Sequence, residues 1–135
     1  MARDSVQCRD QPCVYEMTMT DHEFEEQMLR DHTRAEESLA AATPAFADLL
    51  HLAETRDSGQ IRRIAQFIAA SYNGECYKFD LLELRMLDVE ISDKMLTCLD
   101  CLRWAISDLY RLVPDGDARI QAMIDRWGLR PKTSD

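Results

Sequence analysis

Apolar side chains recur along most of this chain at intervals of three and four, the spacing that gathers them on one face of an α-helix. After Thr43-Pro44, the residues Phe46, Leu49, Leu50 and Ala53 line such a face. A threonine cap followed by proline predicts a helix start there, because the hydroxyl accepts one orphan amide and proline removes another. Asp57-Ser58-Gly59 breaks the pattern near Arg56 and offers Ser58 as the next cap. Ile61, Ile64, Ala65, Ile68 and Tyr72 then form a second amphipathic face that ends at Asn73-Gly74. Asn-Gly also opens hairpins, and Glu75-Cys76-Tyr77-Lys78-Phe79 has the composition of a short strand. The preceding run is Ala-containing with a period near 3.6, so the dipeptide reads as a helix terminus.

Asp80-Leu81-Leu82-Glu83 has the spacing of a capping box and predicts a short helix to about Met86. The longest periodic stripe follows: Ile91, Met95, Cys98, Leu99, Leu102, Ile106 and Leu109, with Asp93, Lys94, Asp100 and Arg103 off it. It predicts a central core helix. Pro114-Asp115-Gly116-Asp117 reads as a turn with a cap, and Ile120, Met123, Ile124 and Trp127 as a last helix. Gly128-Leu129 fits a C-terminal cap with glycine in the left-handed conformation. Upstream, Thr20 or Asp21 caps a segment in which Phe24, Met28, Ala35 and Leu39 recur at helical spacing on a thin stripe. Residues before Tyr15 show no period.

These patterns predict an all-α protein: a compact bundle of about five helices with an acidic N-terminal helix or arm. The expected division is a flexible tail at 1–14, an acidic helix or arm at 15–42, a helical core domain at 43–129 and a tail at 130–135. Composition agrees, because 135 residues support one core and only 4 Gly and 4 Pro argue against a turn-rich β-sandwich.

Charge changes the picture in one place. The formal net charge is −9, and six of those nine charges fall between Tyr15 and Ala40. Glu16, Asp21, Glu23, Glu25, Glu26, Asp31, Glu36 and Glu37 oppose only Arg30 and Arg34 there. The overall balance repels phosphate backbones and anionic bilayers, so neither nucleic acid nor membrane is expected as a partner. The eight carboxylates are instead the candidate surface for a protein partner with a basic groove. No window approaches the ~18 apolar residues of a membrane span, and the start lacks a signal-like apolar stretch, so a cytoplasmic protein is expected.

Candidate chemistry is sparse. Cys98-Leu99-Asp100-Cys101 is a Cys-x-x-Cys, and Cys8 with Cys13 makes a second pair, so four thiolates define an alternative zinc or thiol reading. Against it, cysteines three apart in an apolar helix suit a core, and five cysteines without a secretory signal read as reduced thiols. His22, His32 and His51 form no His-Glu-x-x-His, and no nucleophile elbow or phosphate loop is present. A non-catalytic protein without a cofactor is therefore expected. Two basic patches, Arg56, Arg62 and Arg63 and then Arg119, Arg126, Arg130 and Lys132, are interleaved with acids and read as a mixed surface with helix-end salt bridges. Apolar stripes larger than short helices can bury add a third reading, a self-associating structural module.

The stretch Gly59-Gln60-Ile61-Arg62-Arg63-Ile64-Ala65-Gln66-Phe67-Ile68 continues through Asn73, Glu75, Phe79-Asp80-Leu81, Leu84, Asp88, Ile91, Asp93 and Met95-Leu96-Thr97. It resembles an uncharacterised family of short proteins encoded largely on proteobacterial plasmids and integrative elements. The resemblance runs from about Phe46 to Trp127 and leaves the acidic segment outside. Ser71-Tyr72 stands where that family commonly has two tryptophans, and Cys98-x-x-Cys101 is not part of its usual pattern. What the resemblance implies is a setting: an accessory interaction protein of a mobile element, of the kind that inhibits a host nucleic-acid-handling defence complex, anti-CRISPR or anti-restriction in type.

Overall fold

The computed structural model describes residues 20–131. The expected tail at 1–14, Cys8, Cys13, Glu16 and Lys132 lie outside them. Every regular element among the described residues is helical: α1 (Asp21–Thr55), α2 (Gly59–Tyr72), a 3-10 segment (Leu81–Met86), α3 (Val89–Trp104), a second 3-10 segment (Leu109–Leu112) and α4 (Gly116–Trp127). The fold class is all-α, as the periodicity predicts. Contacts divide the chain into two units at Arg34/Ala35.

α1 begins with a reciprocal capping box. The Glu23 amide donates to Thr20 Oγ1 and the Thr20 amide donates to Glu23 Oε1, each at 3.1 Å. Asp21 and Glu23 in the first turn complement the positive helix end. The expected start at Thr43-Pro44 is not a start: α1 runs through it for 35 residues. Thr43 turns its hydroxyl back to donate to Leu39 O at 2.9 Å, so it caps nothing. Pro44 removes the bond to the Ala40 carbonyl, but both residues are exposed and water can take that acceptor. Buried Ala42, Ala45 and Phe46 hold the two flanking turns on one core-facing stripe, which outweighs the lost bond.

α2 starts where expected. Ser58 Oγ accepts the Ile61 amide at 3.3 Å, and Ile61, Ile64, Ala65, Phe67, Ile68 and Ala69 are buried. Asn73 ends it, its side-chain oxygen accepting the Glu75 and Cys76 amides at 3.2 and 3.3 Å. The Asn-Gly dipeptide is thus a helix terminus. The next predicted capping box does not form: Asp80 caps the segment by accepting the Leu82 amide on Oδ1 at 3.0 Å, the Glu83 amide goes to the Asp80 backbone carbonyl, and the Glu83 side chain pairs with Arg63 of α2. The resulting element is 3-10 in type and contributes no buried residue.

The predicted central helix is shorter than its stripe. α3 stops at Trp104 because Ala105 adopts the left-handed conformation (φ 56°), which leaves Ile106 47% exposed and outside the helix. Leu109 still reaches the core, carried there by the second 3-10 segment, which touches α2, α3 and α4. That segment packs directly onto the start of α4. A Cβ on Gly116 would lie 1.8 Å from the Tyr110 carbonyl oxygen, so only glycine fits. At the far end Gly128 (φ 63°) closes α4, with the Leu129 amide donating to Ile124 O at 3.1 Å, the predicted cap.

One core runs through the second unit, built from Phe46, Leu49 and Leu50 of α1, Ile64 and Ile68 of α2, Met95 and Cys98 of α3, and Ile120 and Met123 of α4. Polar ties join α1 to the rest. Buried Ser38 donates to Asp100 at 2.7 Å, and Arg119 makes a two-pronged pair with Glu54 at 2.8 and 2.9 Å. The end of α1 has no basic residue in its own last turn. Its Ala53 carbonyl, on a fully buried residue, receives Arg126 Nη1 at 3.0 Å and Trp127 Nε1 at 2.8 Å, both from α4.

Two stability outcomes follow from this packing. Gly116→Ala is expected to cost about 2–3 kcal/mol in urea unfolding, since the methyl must displace backbone, whereas Gly59→Ala, with only the Arg63 guanidinium tip at 3.8 Å, is expected to be neutral or slightly stabilising. Trp127→Phe is expected to cost about 1 kcal/mol. Adding Arg126→Gln should then cost more than the two single losses combined, because the second change strands the buried Ala53 carbonyl.

Candidate functional site

The acidic candidates sit on α1. In the first unit Asp21, Glu23, Glu25 and Glu26 are exposed and Asp31 is half-buried, accepting from Gln27 at 2.8 Å. Glu23 is engaged in the capping box and Glu26 pairs with His22 at 3.2 Å. Phe24, Met28 and Leu29 lie among these carboxylates at 54%, 56% and 68% exposure, large values for apolar side chains on a helix. Glu36 and Glu37 are exposed on the second unit.

The Cys-x-x-Cys pair is placed differently from a metal knuckle. Cys98 and Cys101 are core residues, 0% and 1% exposed. Burial pushes the Cys98 thiol up to about 12, helped by the neighbouring Cys101, and burial also raises Cys101, with Asp100 adding to it. Both groups are therefore neutral thiols at neutral pH in the metal-free protein. Among the described residues no three His, Cys, Asp or Glu side chains gather as a metal site.

The two basic patches resolve into paired and gathered members. Arg63 pairs with Glu83, Arg119 with Glu54 and Arg126 with Asp57, the helix-end salt bridges expected of them. Arg62 and Arg130 instead meet Lys78 around a hollow of about 360 Å³. Gln66 and Ala69 of α2, Tyr77, and Gly128 with Leu129 beyond α4 complete its wall; no acidic side chain among the described residues lines it. Arg62 Nη1 donates to Trp127 O at 3.1 Å and Lys78 Nζ to Gly74 O at 2.6 Å, which fixes both cations at the ends of two helices.

A second hollow, of about 290 Å³, shares Tyr77 and Lys78 with the first. Its wall is apolar: Phe67 and Ala70 of α2, Phe79, Leu81 and Leu84 of the loop and first 3-10 segment, Leu99 and Leu102 of α3. Phe67 and Phe79 meet edge to face with centroids 5.5 Å apart, which pins the loop against α2. Sequence reasoning passed over Tyr77, Lys78 and Phe79 as a possible strand. The legible signal was an aromatic-Lys-aromatic triplet directly after a helix terminus.

The fold and these surfaces define a small all-α protein with an acidic helix and paired basic and apolar hollows. Residues 43–128 match the model of a family of unknown function, DUF7673, and the chain belongs to that family. The match opens in the middle of α1 and closes on the Gly128 cap, so the acidic half of α1 falls outside it. No curated protein matches the chain. No solved structure matches it either. No helix among the described residues is long and apolar enough to cross a membrane.

The thiol chemistry gives a direct check. Alkylation of the native protein at pH 8 is expected to spare Cys98 and Cys101 and to modify them only on unfolding, read by mass spectrometry. Stability should also fall as pH rises from about 9, where an ordinary thiol ionises, toward 12, because the unfolded chain can form the Cys98 thiolate and the folded core cannot.

Proposed function

We propose that this chain is a non-catalytic interaction protein that binds a protein partner through the first half of α1. The observation that carries this reading is the combination, on one capped helix, of five carboxylates with Phe24, Met28 and Leu29 left largely exposed. An amphipathic helix with apolar anchors four residues apart suits a hydrophobic groove on a partner. Its carboxylates call for a basic rim, and charge of this kind sets the encounter rate and the choice of partner more than the final affinity. A protein groove that normally holds phosphates meets both demands. Within the setting implied by the sequence resemblance, such a protein works in the cytoplasm as an inhibitor of a nucleic-acid-handling defence complex, supplied by a mobile element and competing for the groove.

The test uses the full chain as bait in affinity purification from its native host. A variant with Asp21→Asn, Glu25→Gln, Glu26→Gln and Asp31→Asn keeps Glu23 and hence the capping box. It is expected to lose the partner, as is Phe24→Ser with Met28→Ser, while both variants keep the wild-type circular dichroism spectrum. Binding by the wild type should weaken steeply between 50 and 500 mM salt. Partners retained equally by all three baits would sink the reading.

A further inference from the structure

We infer that the two hollows flanking Tyr77 and Lys78 form one binding site for an organic anion with an apolar body, a medium-chain alkyl carboxylate. The site is independent of the acidic helix and lies wholly in the second unit.

Three observations converge on this ligand class. The apolar hollow is walled by Phe67, Leu84, Leu99 and Leu102 with scarcely a polar group, and at about 290 Å³ it accepts a short alkyl chain but no folded partner. The adjoining hollow, which shares Tyr77 and Lys78, is lined by three cations, Arg62, Lys78 and Arg130, and by no carboxylate among the described residues; the nearby Glu83 is paired with Arg63. In a protein of net charge −9, a hollow whose charged lining residues are all cations is a local inversion of the overall charge balance. Arg62 gives one donor to the Trp127 carbonyl and Lys78 one to the Gly74 carbonyl, and each cation carries further donors suited to a ligand head group.

The head group is specified by what the cations sit upon. Phosphate favours helix N-termini, where backbone amides and the positive end of the dipole converge. Here Lys78 rests on the Gly74 carbonyl just past α2 and Arg62 on the Trp127 carbonyl at the end of α4, both negative helix ends. Those carbonyls offset part of the cationic charge. With helix C-termini at the site in place of the converging amides that hold a phosphate, the donors left are those of the side chains, and a guanidinium matches a planar carboxylate. Lys78, common to both hollows, is the residue that joins head to tail.

Isothermal titration of the full-length protein with octanoate and decanoate, below their micelle concentrations, tests this. Saturable one-to-one binding is expected, strengthening about fourfold per added methylene as each is buried. Lys78→Met should weaken decanoate about tenfold and Lys78→Arg should restore most of it, with unfolding midpoints unchanged because Lys78 is exposed. Ala70→Trp, which fills the apolar hollow, should abolish binding. The proposal is overturned by no binding of decanoate, by octanol binding as tightly as octanoate, by inorganic phosphate binding more tightly than decanoate, or by Lys78→Met leaving decanoate affinity unchanged.

Discussion

The second unit depends on how the C-terminal end of α1 is satisfied. The last carbonyls of any helix lack intrahelical partners, and one left buried without a donor costs roughly 1–3 kcal/mol. Ala53 is fully buried, and its carbonyl is reached by two donors of α4, Arg126 and Trp127. Arg126 also bonds the Arg56 carbonyl and the Asp57 carboxylate, so one guanidinium spans the end of α1 and the turn after it. A helix near the end of the chain thus completes one that began near its start. The four helices cannot close around Phe46, Leu49 and Ile120 unless α4 is in register with that end.

The register of α4 is itself set by a steric condition. Gly116 lies against the Tyr110 carbonyl, where no side chain fits, and this contact locks the second 3-10 segment to the first turn of α4. Tyr72 adds a polar tie nearby, its hydroxyl donating to Asp117 and accepting from Gln121 at 3.1 Å. That bond to a carboxylate raises the Tyr72 phenol above its ordinary value. The same placement brings Gly128 and Arg130, beyond the far end of α4, beside Arg62 of α2. The geometry that satisfies α1 therefore also assembles the basic hollow.

The two proposed binding surfaces are of opposite character. The acidic half of α1 lies outside the family match, whereas Lys78, Arg62 and the apolar wall lie within it. The resemblance found in the sequence concerns the second surface, and the charge excess concerns the first. An acidic helix with exposed Phe24 and Met28 and a cation-lined hollow differ in the ligand chemistry they suit, and nothing in their chemistry requires one for the other.

What the sequence determined by itself was local. Ser58, Asn73 and Gly128 were legible as helix ends, and the periods of α2 and α4 as amphipathic faces, because a cap or a stripe is a relation among residues three to five apart. The concentration of carboxylates on α1 was legible for the same reason. The tertiary structure decided the rest. Thr43-Pro44 carries a start signal, yet burial of Ala42, Ala45 and Phe46 on one stripe carried the helix through it. The stripe from Ile91 to Leu109 reads as one helix, yet the chain turns at Ala105, and a separate 3-10 segment carries Leu109 into the core. Arg62, Lys78 and Arg130 are distant in the chain and of ordinary composition. Their convergence comes from how the end of α4 packs beside α2 and the segment after it, and that follows from packing, which no short-range pattern encodes.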